Sequence, residues 1–154
     1  MQIILNGWIY SFIVCWIVFF LLVDLKTLKK NIWAGIVCSL LEFIQDAFAP
    51  WFDMFYVKKG VIYLLGTSAF FTFGVAFTMG ILIMQFLPSN RYLQLVHILS
   101  FSVGFVFFEF LLVKYGLLVE VHWDYKISIF GNVIIMGAIA WLKQFVYKYE
   151  PKSI

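Results

Sequence analysis

The chain has 154 residues, of which 64% are hydrophobic, 21% aromatic and 12% charged, and its formal net charge is +3. An average soluble domain carries about 25% charged residues, so a soluble fold of this composition would leave large apolar patches in water. The composition therefore excludes an ordinary soluble domain. It predicts an all-α integral membrane protein.

Five apolar stretches predict five transmembrane helices, because each is close to the length of about 20 residues that crosses a hydrocarbon core. They cover about residues 3–23, 32–48, 61–87, 92–115 and 127–146. The first stretch has no basic n-region and no small-x-small cleavage site, so we interpret it as a retained span. The chain is thus predicted to be one helical bundle over residues 1–154, with the lipid bilayer as its surroundings.

The third stretch, residues 61–87, carries no charge and is rich in small residues. Small side chains let helix backbones approach one another inside a membrane, where lipid provides no hydrophobic drive between helices. The small residues are Gly66, Ser68, Ala69, Gly74, Ala76, Thr78 and Gly80. We therefore predict that this is the most closely packed helix.

The connections at residues 50–60 and 116–125 are predicted as an interfacial segment and an external loop.

Orientation is predicted from three lysines, Lys26, Lys29 and Lys30, which follow the first stretch. Loops rich in lysine and arginine lie on the cytoplasmic side of a membrane. With five spans, this places the N-terminus outside the cell and the C-terminus in the cytoplasm. The predicted location is the plasma membrane.

The polar residues inside the apolar stretches are the candidate site. Glu42 and Asp46 are four residues apart, so on a helix they share one face with Gln45 between them. At 1.5 Å per residue, Glu42 and Glu109 both lie roughly 9 Å below the outer end of their helices. Ser128 and Asn132 of the last span fall at similar depths, and Lys114 and His122 lie just above at the rim.

This convergence predicts an outward-facing acidic pocket. Its candidate ligand-binding residues are Glu42, Gln45, Asp46, Glu109, Lys114, His122, Ser128 and Asn132. Buried carboxylates must be solvated, paired, protonated or bound to a ligand. A small cation, an amine or a polar lipid headgroup would suit such a pocket, in a protein that acts in sensing or transport.

Two other functions remain open at this level. The acids could pair with Lys114, Lys126 or Asn132 within the chain, or with helices of a partner membrane protein or a second copy, which would make the protein a structural or regulatory subunit. A lipid-modifying enzyme is a third interpretation, although the chain has no HExxH, GxSxG or P-loop motif. The sequence has no basic face of the kind that binds nucleic acid, and it indicates no cofactor.

A metal site is a further hypothesis for the last external loop. Glu120, His122 and Asp124 alternate, so in an extended loop they would face one way and could bind a divalent metal. The alternative is a solvated loop, with Trp123 and Tyr125 anchored among the lipid headgroups.

Several of these features, taken together, resemble those of a known group of proteins. They are the paired acids Glu42 and Asp46 that end a short span, the sequence from Glu109 to Lys114-Tyr-Gly116, and His122-Trp123 before a final helix with Ser128. In these features the chain resembles an uncharacterised family of small polytopic membrane proteins from spore-forming Gram-positive bacteria. The resemblance implies a bacterial plasma membrane and the same order of helices. It implies no activity.

Overall fold

The computed structural model describes residues 7–148, apart from the side chain of residue 148. These residues form five α-helices, so the predicted all-α class is confirmed. The helices are α1 (Gly7–Leu22), α2 (Leu25–Phe48), α3 (Phe77–Phe86), α4 (Arg91–Lys114) and α5 (Tyr125–Lys148). A short 3₁₀-helix, Ala49–Phe52, follows α2, and a π-helical segment, Phe71–Ala76, leads directly into α3. Residues 3–6 of the predicted first span lie outside the described residues.

Three helices among the described residues are long and apolar enough to cross a membrane. They are Leu25–Phe52, Arg91–Lys114 and Tyr125–Tyr147. Two further apolar helices, Gly7–Leu22 and Phe71–Phe86, are shorter. The helices therefore fall in the five predicted regions, but only three of them have the full length of a span.

The second helix begins earlier than the predicted residue 32, because the lysine-rich segment is helical. Asp24 is the N-cap of α2, and its side chain accepts a hydrogen bond of 2.9 Å from the backbone N–H of Lys26. An aspartate at this position satisfies a backbone donor that the helix leaves free, and lysine is itself a good helix former. The lysine cluster thus occupies the first turns of α2.

The prediction of one continuous helix over residues 61–87 is wrong in its first part. Strands β2 (Tyr63–Leu64) and β3 (Thr67–Ser68) pair there as an antiparallel hairpin. The turn between them has positive φ at both residues, 47° at Leu65 and 96° at Gly66, and glycine adopts this conformation without strain. The uniformly apolar sequence did not distinguish a short hairpin from a helix end.

The predicted close packing of this segment is found in its helical part. A Cβ atom added to Gly80 would lie 2.6 Å from Cβ of Cys38 and 2.7 Å from the carbonyl oxygen of Ala34 on α2. A Cβ atom added to Gly74 would lie 2.9 Å from Cα of Phe12 on α1. The segment therefore lies against both α1 and α2 at backbone distance.

Hydrogen bonds tie the helix ends together at one end of the bundle, which we call the basic end. The backbone N–H of Asp24 donates to Oε1 of Gln85 (2.9 Å), and Nε2 of Gln85 donates to the carbonyl oxygen of Leu22 (2.9 Å). Lys143 on α5 donates to the carbonyl oxygens of Met84, at 3.0 Å, and Leu87. These bonds join the ends of α1, α3 and α5 near the lysine-rich start of α2.

At the opposite end, the two predicted loops pair with each other. Strands β1 (Phe55–Val57) and β4 (Leu118–Glu120) form an antiparallel ribbon, with Phe55 opposite Glu120 and Val57 opposite Leu118. The indole N–H of Trp8 on α1 donates to the carbonyl oxygen of Lys58 (2.9 Å), which attaches the ribbon to α1. Segments far apart in sequence thus close this end of the bundle.

Candidate functional site

A cavity of about 60 Å³ lies where α2, α4 and α5 meet the β1–β4 ribbon. Its polar lining consists of Glu42, Gln45, Asp46, Glu109, Ser128 and Asn132. Its aromatic lining consists of Trp8, Phe55, Phe71, Phe105 and Phe108. The remaining lining residues are Val57, Leu112 and Leu118. We call this space the acidic cavity.

The structure brings six of the eight predicted site residues into this cavity and leaves two outside it. Lys114 is exposed at the end of α4 and does not line the cavity. His122 is also exposed, and its Nδ1 lies within hydrogen-bond distance, 3.1 Å, of the carbonyl oxygen of Asp53. These two residues, predicted to lie at the rim, therefore do not line the cavity itself. Ligand binding by the other six stays a prediction.

Helical spacing explains how the lining residues come together. Glu42, Gln45 and Asp46 occupy one face of α2, and Ser128 and Asn132 occupy one face of α5. The two helices approach closely at this point, because a Cβ atom added to Gly131 would lie 2.8 Å from Oε1 of Gln45. The absence of a side chain at residue 131 thus places Gln45 next to the polar face of α5.

Asp46 has a hydrogen-bond partner that the sequence did not predict. The hydroxyl of Thr67, in strand β3, donates to Oδ2 of Asp46 at 2.6 Å. Both side chains are buried, with Asp46 only 8% exposed. Because residue 67 was assigned to a helix, no sequence signal placed its hydroxyl here. Asp46 is therefore buried although it lies close to the C-terminal end of α2.

Glu109 is held by a second residue that sequence reasoning missed. The indole N–H of Trp123 donates to Oε1 of Glu109 (2.8 Å) and also approaches the hydroxyl oxygen of Ser128. Ser128 forms a side-chain hydrogen bond with Glu109 as well. The Trp123 ring packs edge-on against Phe55, with 5.0 Å between the ring centroids. Trp123 therefore orients the acid of α4.

Glu42 differs from the other two acids. Its side chain is only 4% exposed, and its Oε1 atom has no hydrogen-bond partner among the described residues. A buried polar group without a partner destabilises a fold by about 1–3 kcal/mol. Since Glu42 lines the cavity, this oxygen is a buried acceptor for which the described residues provide no donor.

The charge of the cavity has one sign. Three carboxylates, Glu42, Asp46 and Glu109, line it and repel one another, and its described lining contains no lysine, arginine or histidine. Lys114 and Lys126, the predicted internal partners of the acids, are not lining residues. The arrangement is therefore suited to a positively charged group.

The predicted metal site in the last loop is wrong. No group of three His, Cys, Asp or Glu residues in the described part of the chain could hold a metal ion. Oδ1 of Asp124 accepts hydrogen bonds from the backbone N–H groups of Lys126 (2.9 Å) and Ile127 (3.0 Å) at the start of α5. Glu120 belongs to strand β4, where burial, followed by the charge of Asp124, raises the pKa of its carboxyl. Glu120 therefore belongs to strand β4, whereas Asp124 belongs to the start of α5.

Comparison of the chain with known protein families, curated proteins and solved structures finds no match. The resemblance to small membrane proteins of spore-forming bacteria therefore stays a prediction. Any conclusion about function rests on the acidic cavity.

Proposed function

We propose that this is a plasma-membrane protein whose acidic cavity binds a small cationic ligand, in a role in sensing or transport. The observation that carries the proposal is the buried Glu42 oxygen that has no partner among the described residues, in a cavity whose described lining holds three carboxylates and no basic side chain. Such a group is stabilised when a cation enters. The residues of the site are Glu42, Gln45, Asp46, Glu109, Ser128 and Asn132.

Exposed side chains support a lipid environment. Large apolar residues cover the outward faces of the helices, among them Phe20, Phe107, Phe130 and Trp141. In water such surfaces would form apolar patches larger than those of monomeric soluble proteins. We propose five spans, of which α1 and the helix over residues 71–86 are shorter than the usual length of a span. A bilayer can thin locally around such short helices.

The proposed orientation has a direct test. Because the β1–β4 ribbon is assigned to the outside and the basic end to the cytoplasm, a cysteine placed at Met54 should react with an impermeant maleimide added to intact cells. A cysteine placed at Asn90 should react only after the cells are opened. Labelling of the second variant in intact cells, and not the first, would show that the cavity faces the cytoplasm. The buried Cys15 and Cys38 are replaced by serine or alanine beforehand.

The proposal predicts that cations stabilise the purified protein through Glu42. A screen of Na⁺, K⁺, Mg²⁺ and methylammonium should raise the melting temperature of the wild type for at least one cation. Glu42→Gln should abolish this rise, because the amide keeps the shape and removes the charge. Glu120→Gln is the matched control, since Glu120 is a half-buried acid that does not line the cavity.

The structural-subunit alternative makes a different prediction for the same variants. If the acids served to pair with a partner protein, Glu42→Gln would alter expression or the co-purification of that partner. Cations would then have no effect on the melting temperature of the wild type or of Glu42→Gln. The burial of Glu42 (4% exposed) and Asp46 (8% exposed) inside one chain favours a small ligand over a partner helix. An unchanged cation response in Glu42→Gln would contradict the proposal.

A further inference from the structure

Resting on the proposed function, we infer that the cation is an organic ammonium group and not an inorganic ion. It is either a free alkylamine in its protonated form or the ammonium headgroup of a lipid. Three features of the acidic cavity carry this inference: its aromatic wall, the engagement of two of its three acids, and its size.

The aromatic wall comes from four elements that meet around the acids. Trp8 of α1 and Phe71 of the π-helical segment lie edge to face, with ring centroids 6.1 Å apart. Phe71 is nearly parallel to Phe108 of α4, with 6.4 Å between the centroids and 11° between the planes. Phe55 and Phe105 complete the wall. Aromatic faces attract ammonium groups, and they do so most strongly where water is excluded.

The carboxylates are arranged as a counter-charge and not as a coordination shell. An inorganic ion requires several oxygen ligands that converge on one point. Thr67 donates to one oxygen of Asp46 and Trp123 donates to one oxygen of Glu109, whereas Oε1 of Glu42 has no hydrogen-bond partner among the described residues. In the residues that the structure describes, no three acidic or sulfur or imidazole side chains are placed to hold a metal. A buried carboxyl oxygen without a partner among the described residues, in a cavity that aromatic rings also line, matches an ammonium group bearing carbon substituents.

The size of the cavity limits the ligand to a small head. Its volume is about 60 Å³, and a single water molecule needs at least about 10–15 Å³ of such space. Methylammonium, or the terminal ammonium of a lipid headgroup, is of this scale. A large polyamine folded inside the bundle is not.

The experiment measures selectivity in the purified protein. Melting temperatures are recorded in phosphatidylglycerol nanodiscs with methylammonium, Na⁺ or K⁺ at equal ionic strength. We expect methylammonium to stabilise the wild type at concentrations about tenfold lower than either inorganic ion. Phe108→Leu should weaken the methylammonium response about tenfold, because an aromatic ring of the cavity wall is lost. Phe107→Leu is the matched control, since Phe107 is 61% exposed on the same helix and does not line the cavity.

A second arm separates the two sources of the ammonium group. If it belongs to a lipid, nanodiscs that contain phosphatidylethanolamine should stabilise the wild type without added amine, and Glu42→Gln should lose this effect. If it belongs to a free amine, the lipid should have no effect and added methylammonium should act in both nanodiscs. Either result supports the ammonium inference. If Phe108→Leu does not fold, Phe105→Leu takes its place in the selectivity experiment.

The outcomes that overturn the inference are distinct from those that overturn the proposed function. Equal, Glu42-dependent stabilisation by Na⁺, K⁺ and methylammonium would leave the cation site standing and exclude ammonium selectivity. The same conclusion would follow if Phe107→Leu and Phe108→Leu weakened the response equally. No stabilisation by any cation in either nanodisc would overturn the proposed function together with this inference.

Discussion

Replacing Gly80 by leucine is expected to leave little or no folded protein. A Cβ atom at residue 80 would already lie 2.6 Å from Cβ of Cys38 and 2.7 Å from the carbonyl oxygen of Ala34. Because one of these atoms belongs to the α2 backbone, a rotamer change cannot relieve the clash, and α2 and α3 must separate. Overpacking in a well-packed interior costs about 1–3 kcal/mol even for added methylenes, and a whole leucine side chain against backbone exceeds this. Size-exclusion chromatography of a fluorescent fusion should show loss of the monodisperse peak.

Gly137→Leu is the matched control for this prediction. Gly137 lies in α5, and a Cβ atom added there would meet nothing within 4 Å. Leucine is also a better helix former than glycine, so this variant should retain the peak and gain slightly in melting temperature. Equal behaviour of the two variants would mean that α2 and α3 do not pack at backbone distance as described.

Glu42→Leu is expected to make the cation-free protein more stable while it abolishes the response to cations. The wild-type carboxyl is buried with one oxygen that lacks a partner in the described residues, so its removal relieves a penalty of about 1–3 kcal/mol. Sites kept for function are often destabilising in the absence of ligand. The melting temperature in cation-poor buffer should therefore rise for Glu42→Leu above that of the wild type.

Asp46→Leu provides the contrast, because this acid has a partner. It accepts the 2.6 Å hydrogen bond from the buried Thr67 hydroxyl, which would lose its acceptor in the variant. We expect a fall in melting temperature for Asp46→Leu. If Glu42→Leu destabilised the protein as much as Asp46→Leu, Glu42 would be a structural residue and not a ligand-binding one.

The six polar lining residues were predictable because each lies on a helix with a regular period. Glu42, Gln45 and Asp46 share a face by their spacing alone, and so do Ser128 and Asn132. Comparing depths along helices of constant rise then brought Glu109 to the same level. Helical spacing and the predicted arrangement of the spans were sufficient to predict this part of the site.

Thr67 and Trp123 were not predictable, since their positions depend on pairing between distant segments. Trp123 reaches Glu109 from the segment that follows β4, which pairs with β1 more than sixty positions earlier. The aromatic wall likewise requires the π-helical segment that sets Phe71 beside Phe108. Cross-strand pairing and a local change of helix type leave no periodic signature in a uniformly apolar sequence.

The most direct test of the proposed cation site is equilibrium binding to the purified protein in phosphatidylglycerol nanodiscs. Isothermal titration calorimetry with Na⁺, K⁺, Mg²⁺ and methylammonium would be performed on the wild type and on Glu42→Gln. The proposal predicts saturable binding of one cation per chain by the wild type, tightest for methylammonium, and no binding by Glu42→Gln. Binding that survives the substitution, or the absence of binding by any of these cations in the wild type, would contradict it.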